Sequence, residues 1–168
     1  SIIPMYYLAE FSRKNVTVCL SGDGADEILG GYETYLADKI CRYTGFLSPA
    51  QKDLIRGLIK NFLPTTFNKV SFDYKVRKFF EAHSPDLDRA HASWRVIFSE
   101  PEKKALLCPE VFSGWSQLDP QDNFLQLARE VQECHYLDRA MYMDIKTWLP
   151  DDILAKVDRA SMAHGMEI

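Results

Sequence analysis

Eight consecutive residues, Leu20-Ser21-Gly22-Asp23-Gly24-Ala25-Asp26-Glu27, carry the groups needed to hold a phosphate and an accompanying cation. Glycines let a backbone approach a ligand closely, and the serine adds a hydroxyl. The stretch runs into Ile28-Leu29, where a helical pattern starts, and the free N–H groups of a helix start attract anions. Asp26 and Glu27 would repel a bare phosphate. They make sense if a divalent cation bridges the two, because magnesium is held by one or two carboxylates together with substrate phosphates. The alternative is an ordinary loop whose acidic residues favour the first turn of a helix.

A second candidate lies near the other end of the chain. Asp151, Asp152, Lys156, Asp158 and Arg159 are interleaved there with Ile153, Leu154, Val157 and Met162. A lysine with a half-buried stem can put a point charge on a phosphate or a carboxylate. The alternative is a solvated helix face on which Asp152 and Lys156 form a pair worth about 0.3 kcal/mol. The four histidines, His83, His91, His135 and His164, have no mutual metal-ligand spacing and are expected to be structural. Cys19, Cys41, Cys108 and Cys134 form no C-x-x-C pair, which argues against a zinc or redox centre. Cys19 is expected to be a small core residue.

The elements that must position these residues can be read in outline. Val16-Thr17-Val18-Cys19-Leu20 is an apolar run that predicts a short buried strand ahead of the glycine-rich stretch. Ile3, Tyr6, Tyr7 and Phe11 suit a helix leading into it, with Pro4 in the first turn. Gly30-Gly31 is expected to break or bend the helix that follows, and Tyr32, Tyr35, Leu36 and Ile40 continue at helical spacing. Ser48-Pro49-Ala50-Gln51 has the form of a capping box, with Leu54, Ile55, Leu58, Ile59 and Phe62 after it and Pro64-Thr65-Thr66 as the stop. Further helices are predicted around Phe72, Val76, Phe79 and Phe80, from Ser84-Pro85 through Ile97, from a Ser99/Glu102 box through Leu106, and from Asp119-Pro120 through Val131. Tyr136 to Trp148 completes the set. The aromatic and methionine positions on these faces are expected to form core.

The chain of 168 residues is 46% apolar, enough for a packed core. A net charge of −4 implies no broad basic surface for nucleic acid. No apolar run approaches the roughly 20 residues that span a bilayer, and the start lacks the pattern of a signal peptide. A cytoplasmic setting with reduced thiols is therefore expected.

The two stretches together resemble the synthetase domain of glutamine-dependent asparagine synthetases. Leu20 to Glu27 with Gly30-Gly31-Tyr32 is similar to the second nucleotide-site motif of that family. Trp148-Leu149-Pro150-Asp151-Asp152-Ile153-Leu154-Ala155-Lys156-Val157-Asp158-Arg159-Ala160-Ser161-Met162-Ala163-His164-Gly165-Met166-Glu167 is similar to its later helical motif. The order matches, and the resemblance spans nearly the whole chain.

The resemblance implies an α/β fold of the adenine-nucleotide hydrolase type, of which this chain is the mostly helical part with one short strand. It implies that ATP activates the aspartate side-chain carboxylate as an adenylate and releases pyrophosphate. Ammonia made from glutamine by a separate N-terminal glutaminase domain then forms the amide. By motif, Ser21, Gly22 and Gly24 would contact ATP, Asp26 would hold Mg2+, Asp23 would lie near the reacting carboxylate and Lys156 would stabilise charge on the adenylate or pyrophosphate.

The family's first pyrophosphate loop, of S-G-G-x-D-S type, and the N-terminal nucleophilic cysteine do not occur. The chain is accordingly expected to be part of one synthetase domain and inactive by itself. Two alternatives remain open at this point. One is a related adenylating enzyme of the β-lactam or macrocycle type acting on another carboxylate. The other is a non-catalytic helical interaction module with a nucleotide-site remnant.

Overall fold

A computed structural model of the chain describes residues 2–48, 50–51, 54–55, 57, 72–98, 100–115 and 119–168. Its α-helices in chain order are α1 (Ile2–Arg13), α2 (Ala25–Leu29), α3 (Glu33–Thr44), α4 (Phe72–Ala82), α5 (Leu87–Trp94), α6 (Glu100–Leu106), α7 (Pro109–Trp115), α8 (Asp122–Glu130), α9 (Tyr136–Lys146) and α10 (Ala155–Met162), with a π-helical segment, Leu149–Leu154, between α9 and α10. The chain divides into two compact units. One comprises Ser1–Tyr32 with Val131–Ile168, the other Glu33–Glu130. Among the described residues no helix is long and apolar enough to cross a membrane.

The first unit contains both chemistry-bearing stretches. Helix α1 packs along α10, and α9 packs against α2 and the π-helical segment. Small side chains suit the approach of α1 and α10: Ala9 and Ala160 are buried, as is Val157. Met143 and Met166 of this unit are also buried. The predicted strand over Val16–Leu20 is absent. Among the described residues there is one isolated parallel bridge, between Val18 and Glu167. The Cys19 N–H donates to the Glu167 carbonyl at 2.9 Å, and the Glu167 N–H donates to the Thr17 carbonyl at 3.0 Å. A strand needs a ladder of such pairs, and one bridge supplies only a single rung. Burial does not enforce it either, since Leu20 is 99% exposed and Cys19 is half-buried rather than core.

The expectation that the aromatic faces are core also fails in α1. Tyr7 and Phe11 are 64% and 65% exposed. The helix is covered on the side that carries Ala9, and its larger apolar residues point elsewhere.

The second unit is helical. Helix α5 is its centre, packed on α3, α4 and α8. Ala90 and Ala92 are fully buried there and let α3 approach closely. Between them His91 Nδ1 lies 2.7 Å from Asp38 Oδ2, with both side chains buried. Trp94 Nε1 donates to the other Asp38 oxygen at 2.7 Å, and Tyr35 stacks on the His91 ring at 5.6 Å. His91 and His83 are thus structural, the latter through Thr44 at 2.9 Å.

The first capping box forms as read. The Ser48 N–H donates to Gln51 Oε1 at 2.8 Å and the Gln51 N–H to Ser48 Oγ at 3.3 Å. Helix α5 is capped two residues after Ser84, by Asp86, which accepts from the Asp88 and Arg89 amides. The helix stops at Trp94, leaving Ile97 outside it. Asp119 accepts from the Gln121 N–H at 2.9 Å and from Arg89 Nη1 at 2.9 Å, just ahead of α8. Leu58, Ile59, Phe62, Pro64-Thr65-Thr66 and Ser99 lie outside the described residues.

Candidate functional site

The glycine-rich stretch is a loop followed by the five-residue helix α2. So short a helix has little macrodipole, so an anion here would be met by backbone amides and hydroxyls rather than by a helix field. The Asp23 N–H donates to Ser21 Oγ at 3.3 Å, and the Ala25 N–H donates to the Gly22 carbonyl at 3.2 Å. Both contacts curl the loop. The Ser21 and Gly22 amides make no hydrogen bond among the described residues, and both residues are exposed. A Cβ built on Gly22 would meet nothing within 4 Å, so the space beside it is open.

Gly24 has φ 89°, a left-handed conformation that glycine adopts without strain. A Cβ there would lie 3.5 Å from Leu149 Cδ1. Leu149 begins the π-helical segment, so the two stretches touch at this point.

The two acids after Gly24 part company, contrary to their joint reading as groups near a phosphate. Glu27 is fully buried, and the Tyr32 hydroxyl donates to its Oε1 at 2.6 Å. Its Oε2 has no partner among the described residues. Asp26 is exposed, and its carboxylate makes no hydrogen bond or ion pair among them. Adjacent residues on a helix point about 100° apart, which sends one inward and the other outward.

Asp26 therefore offers a free carboxylate beside an open loop. No group of three or more His, Cys, Asp or Glu side chains among the described residues could hold a metal ion. That donor set does not suit an all-protein cage. It does suit a cation that takes one carboxylate here and its other ligands from phosphate and water, as magnesium does.

The later stretch was expected to be a plain helix. Instead, α9 ends at Lys146 and the π-helical segment intervenes before α10. Pro150 lies at the start of this segment, and without an N–H it cannot donate to the carbonyl four residues back, so the α-helical ladder is interrupted there. Past this turn, Lys156 Nζ contacts Asp152 Oδ2 at 2.6 Å, with the side chains 27% and 38% exposed. The i,i+4 pair foreseen in the sequence is thus present.

Lys156 and Asp23 line one small cleft of about 150 Å³, together with Met5, Ile153 and Val157. The three apolar residues lower the local polarity, which strengthens any charge interaction made inside. The structure therefore brings Asp23 and Lys156 to one cleft, with Ser21 and Gly22 on the loop ahead of it, Gly24 at the start of α2 and Asp26 in its first turn. Sequence reasoning missed the inward turn of Glu27 and the role of Leu149. Glu27 spaced five residues from Tyr32 was the only available signal for the first, and Pro150 within a helical pattern was the signal for the second.

The asparagine synthase family model matches residues 1–168. The chain is 29% identical over 170 residues to the glutamine-hydrolyzing asparagine synthetase 1 of Bacillus subtilis, covering 99% of the chain and 24% of that protein. It is 28% identical over 169 residues to the protein of Mycobacterium tuberculosis (strain ATCC 25618 / H37Rv) named "Putative asparagine synthetase", glutamine-hydrolyzing, covering 100% of the chain and 24% of that protein. Similarity to a Methanocaldococcus jannaschii protein of the same printed name, numbered 2, is 29% over 175 residues, with 95% and 28% covered. The chain spans about a quarter of the length of these relatives. No solved structure matches it significantly.

Proposed function

The chain belongs to the asparagine synthase family, and from that premise we propose that the full-length protein is an ATP-dependent, glutamine-hydrolysing ligase that converts aspartate to asparagine. The observation that carries the reading is the cleft shared by Asp23 and Lys156, which joins two stretches far apart in the chain. The relatives' names and the order of the two motifs support it.

In this reading the whole domain is of the α/β nucleotide-hydrolase class. The Ser21 hydroxyl and the amides of the Ser21–Gly24 loop hold the phosphates of ATP. Asp26 would hold magnesium, which would supply positive charge against the departing pyrophosphate. An oxygen of the aspartate side chain attacks the α-phosphorus as the bond to pyrophosphate breaks. Negative charge then builds on the pyrophosphate, and Lys156, held by Asp152 at the cleft, stabilises it there.

Ammonia, supplied by an N-terminal glutaminase domain, attacks the acyl carbon, and AMP leaves. The nitrogen becomes cationic in that step and must lose a proton. Asp23, on the same cleft, is the carboxylate placed to accept it. Aspartate, ATP and ammonia are thus the small-molecule partners.

The test is to incubate the full-length protein with ATP, magnesium and ammonium against a panel of carboxylic acids, reading AMP and pyrophosphate. Aspartate should give the fastest formation of both in equal amounts. A strong preference for another acid would assign the protein to a related adenylating branch. Failure to form AMP and pyrophosphate with any acid in the panel would leave a non-catalytic module.

A further inference from the structure

We propose that Gly31 is a positioning residue for Asp26: the side chain it lacks leaves the space in which the Asp26 carboxylate lies. The functional part of this inference rests on the reading of Asp26 as the magnesium-holding carboxylate.

A Cβ placed on Gly31 would sit 2.0 Å from Asp26 Oδ1, 3.1 Å from its Cγ and 3.3 Å from its Cα. The first distance is shorter than any real non-bonded contact. The carboxylate has therefore folded back along α2 into the volume that every other residue type would fill at position 31. The backbone does not explain the glycine. Gly30, at φ 69°, needs the freedom of glycine to end α2, whereas Gly31 is not among the residues with positive φ.

The turn is also pinned on both sides, so it cannot swing aside. The Gly31 N–H donates to the Asp26 carbonyl at 2.9 Å. The next residue, Tyr32, donates its hydroxyl to buried Glu27 at 2.6 Å. The movable part is the Asp26 side chain, which can rotate about its first torsion angle. Gly30 and Gly31 thus divide the work: one ends the helix, the other aims the carboxylate.

Residues that orient a metal-binding carboxylate, when changed, weaken the metal about 10–100-fold. The test uses the full-length protein with a non-hydrolysable ATP analogue and Mn2+ as the probe, reading free Mn2+ by electron paramagnetic resonance. Gly31→Ala should weaken Mn2+ binding about tenfold. Added to Asp26→Ala, which removes the carboxylate, Gly31→Ala should change neither the Mn2+ affinity nor the thermal midpoint further.

If Gly31→Ala is too unstable to measure alone, the same double variant decides: restoration of its midpoint by Asp26→Ala supports the clash, and failure to restore it overturns the proposal. Wild-type Mn2+ affinity in Gly31→Ala also overturns it. Wild-type affinity in Asp26→Ala removes the magnesium reading beneath it and so overturns the functional claim, while midpoint restoration still reports the geometry separately.

Discussion

The side chain of Leu149 lies 3.5 Å from the position that a Cβ on Gly24 would take. One residue belongs to the glycine-rich loop and the other opens the π-helical segment, so this contact fastens the two chemistry-bearing stretches together. Gly24 is required by its left-handed φ of 89°, whereas a Cβ there would make only ordinary contact with Leu149.

Gly24→Ala should therefore destabilise the full-length protein by about 1–2 kcal/mol, the cost of a non-glycine residue in the left-handed region. Chemical denaturation measures it. Unchanged stability would mean that the loop relaxes to another conformation without loss.

A buried hydrogen-bonded carboxylate and an exposed ion pair of the second unit should differ sharply. Asp38→Ala takes the carboxylate from the buried His91 nitrogen and the half-buried Trp94 nitrogen, and loss of a partner by such groups costs about 1–3 kcal/mol. Lys75→Ala breaks an equally short pair with Glu33 whose side chains are 44% and 78% exposed, and should stay within about 0.5 kcal/mol of wild type. Equal losses in the two variants would refute the argument from burial.

The Gln121 amide, and then Arg89, hold the Asp119 carboxyl below its usual value. A carboxylate lowered on folding contributes stability that is present above the unfolded value, about 3.9. That contribution is lost as pH falls through the lowered folded value. Asp119→Asn should thus be less stable than wild type near neutral pH, and the two should converge in strong acid. A gap that widens on acidification would contradict the sign.

Much of this architecture was legible in the sequence where local rules decide. The Ser48/Gln51 box forms because each side chain can reach the other's amide three residues away. The Asp152–Lys156 pair follows from helical spacing alone. The strand over Val16–Leu20 was not legible, because an apolar run becomes a strand only with partners, and Val18 has one bridge. Nor could sequence tell which of Asp26 and Glu27 faces inward. That depends on Tyr32 and α9 covering one side of α2. The π-helical segment was signalled by Pro150, but whether a proline kinks, ends or widens a helix is settled by what packs around it.

Lys156→Met keeps an apolar stem and removes the ammonium. In the full-length protein it should lower kcat at least about 100-fold, with a smaller change in KM for ATP, because the charge is felt where negative charge develops. Asp152→Asn should lower kcat less, since the ammonium remains but loses its anchor. Unchanged turnover in Lys156→Met would return the residue to a simple helix pair.

The central claim, that this cleft serves the activation of a carboxylate as an acyl-adenylate, is tested most directly by following the carboxylate oxygens. Aspartate labelled with heavy oxygen in its side-chain carboxylate is supplied to the full-length protein with ATP, magnesium and ammonium, and the products are read by mass spectrometry. Attack of the carboxylate on the α-phosphorus leaves one of its oxygens on AMP when ammonia displaces it. The account predicts AMP carrying one labelled oxygen per asparagine formed, with pyrophosphate unlabelled. Unlabelled AMP, or ADP with the label in inorganic phosphate, would contradict it.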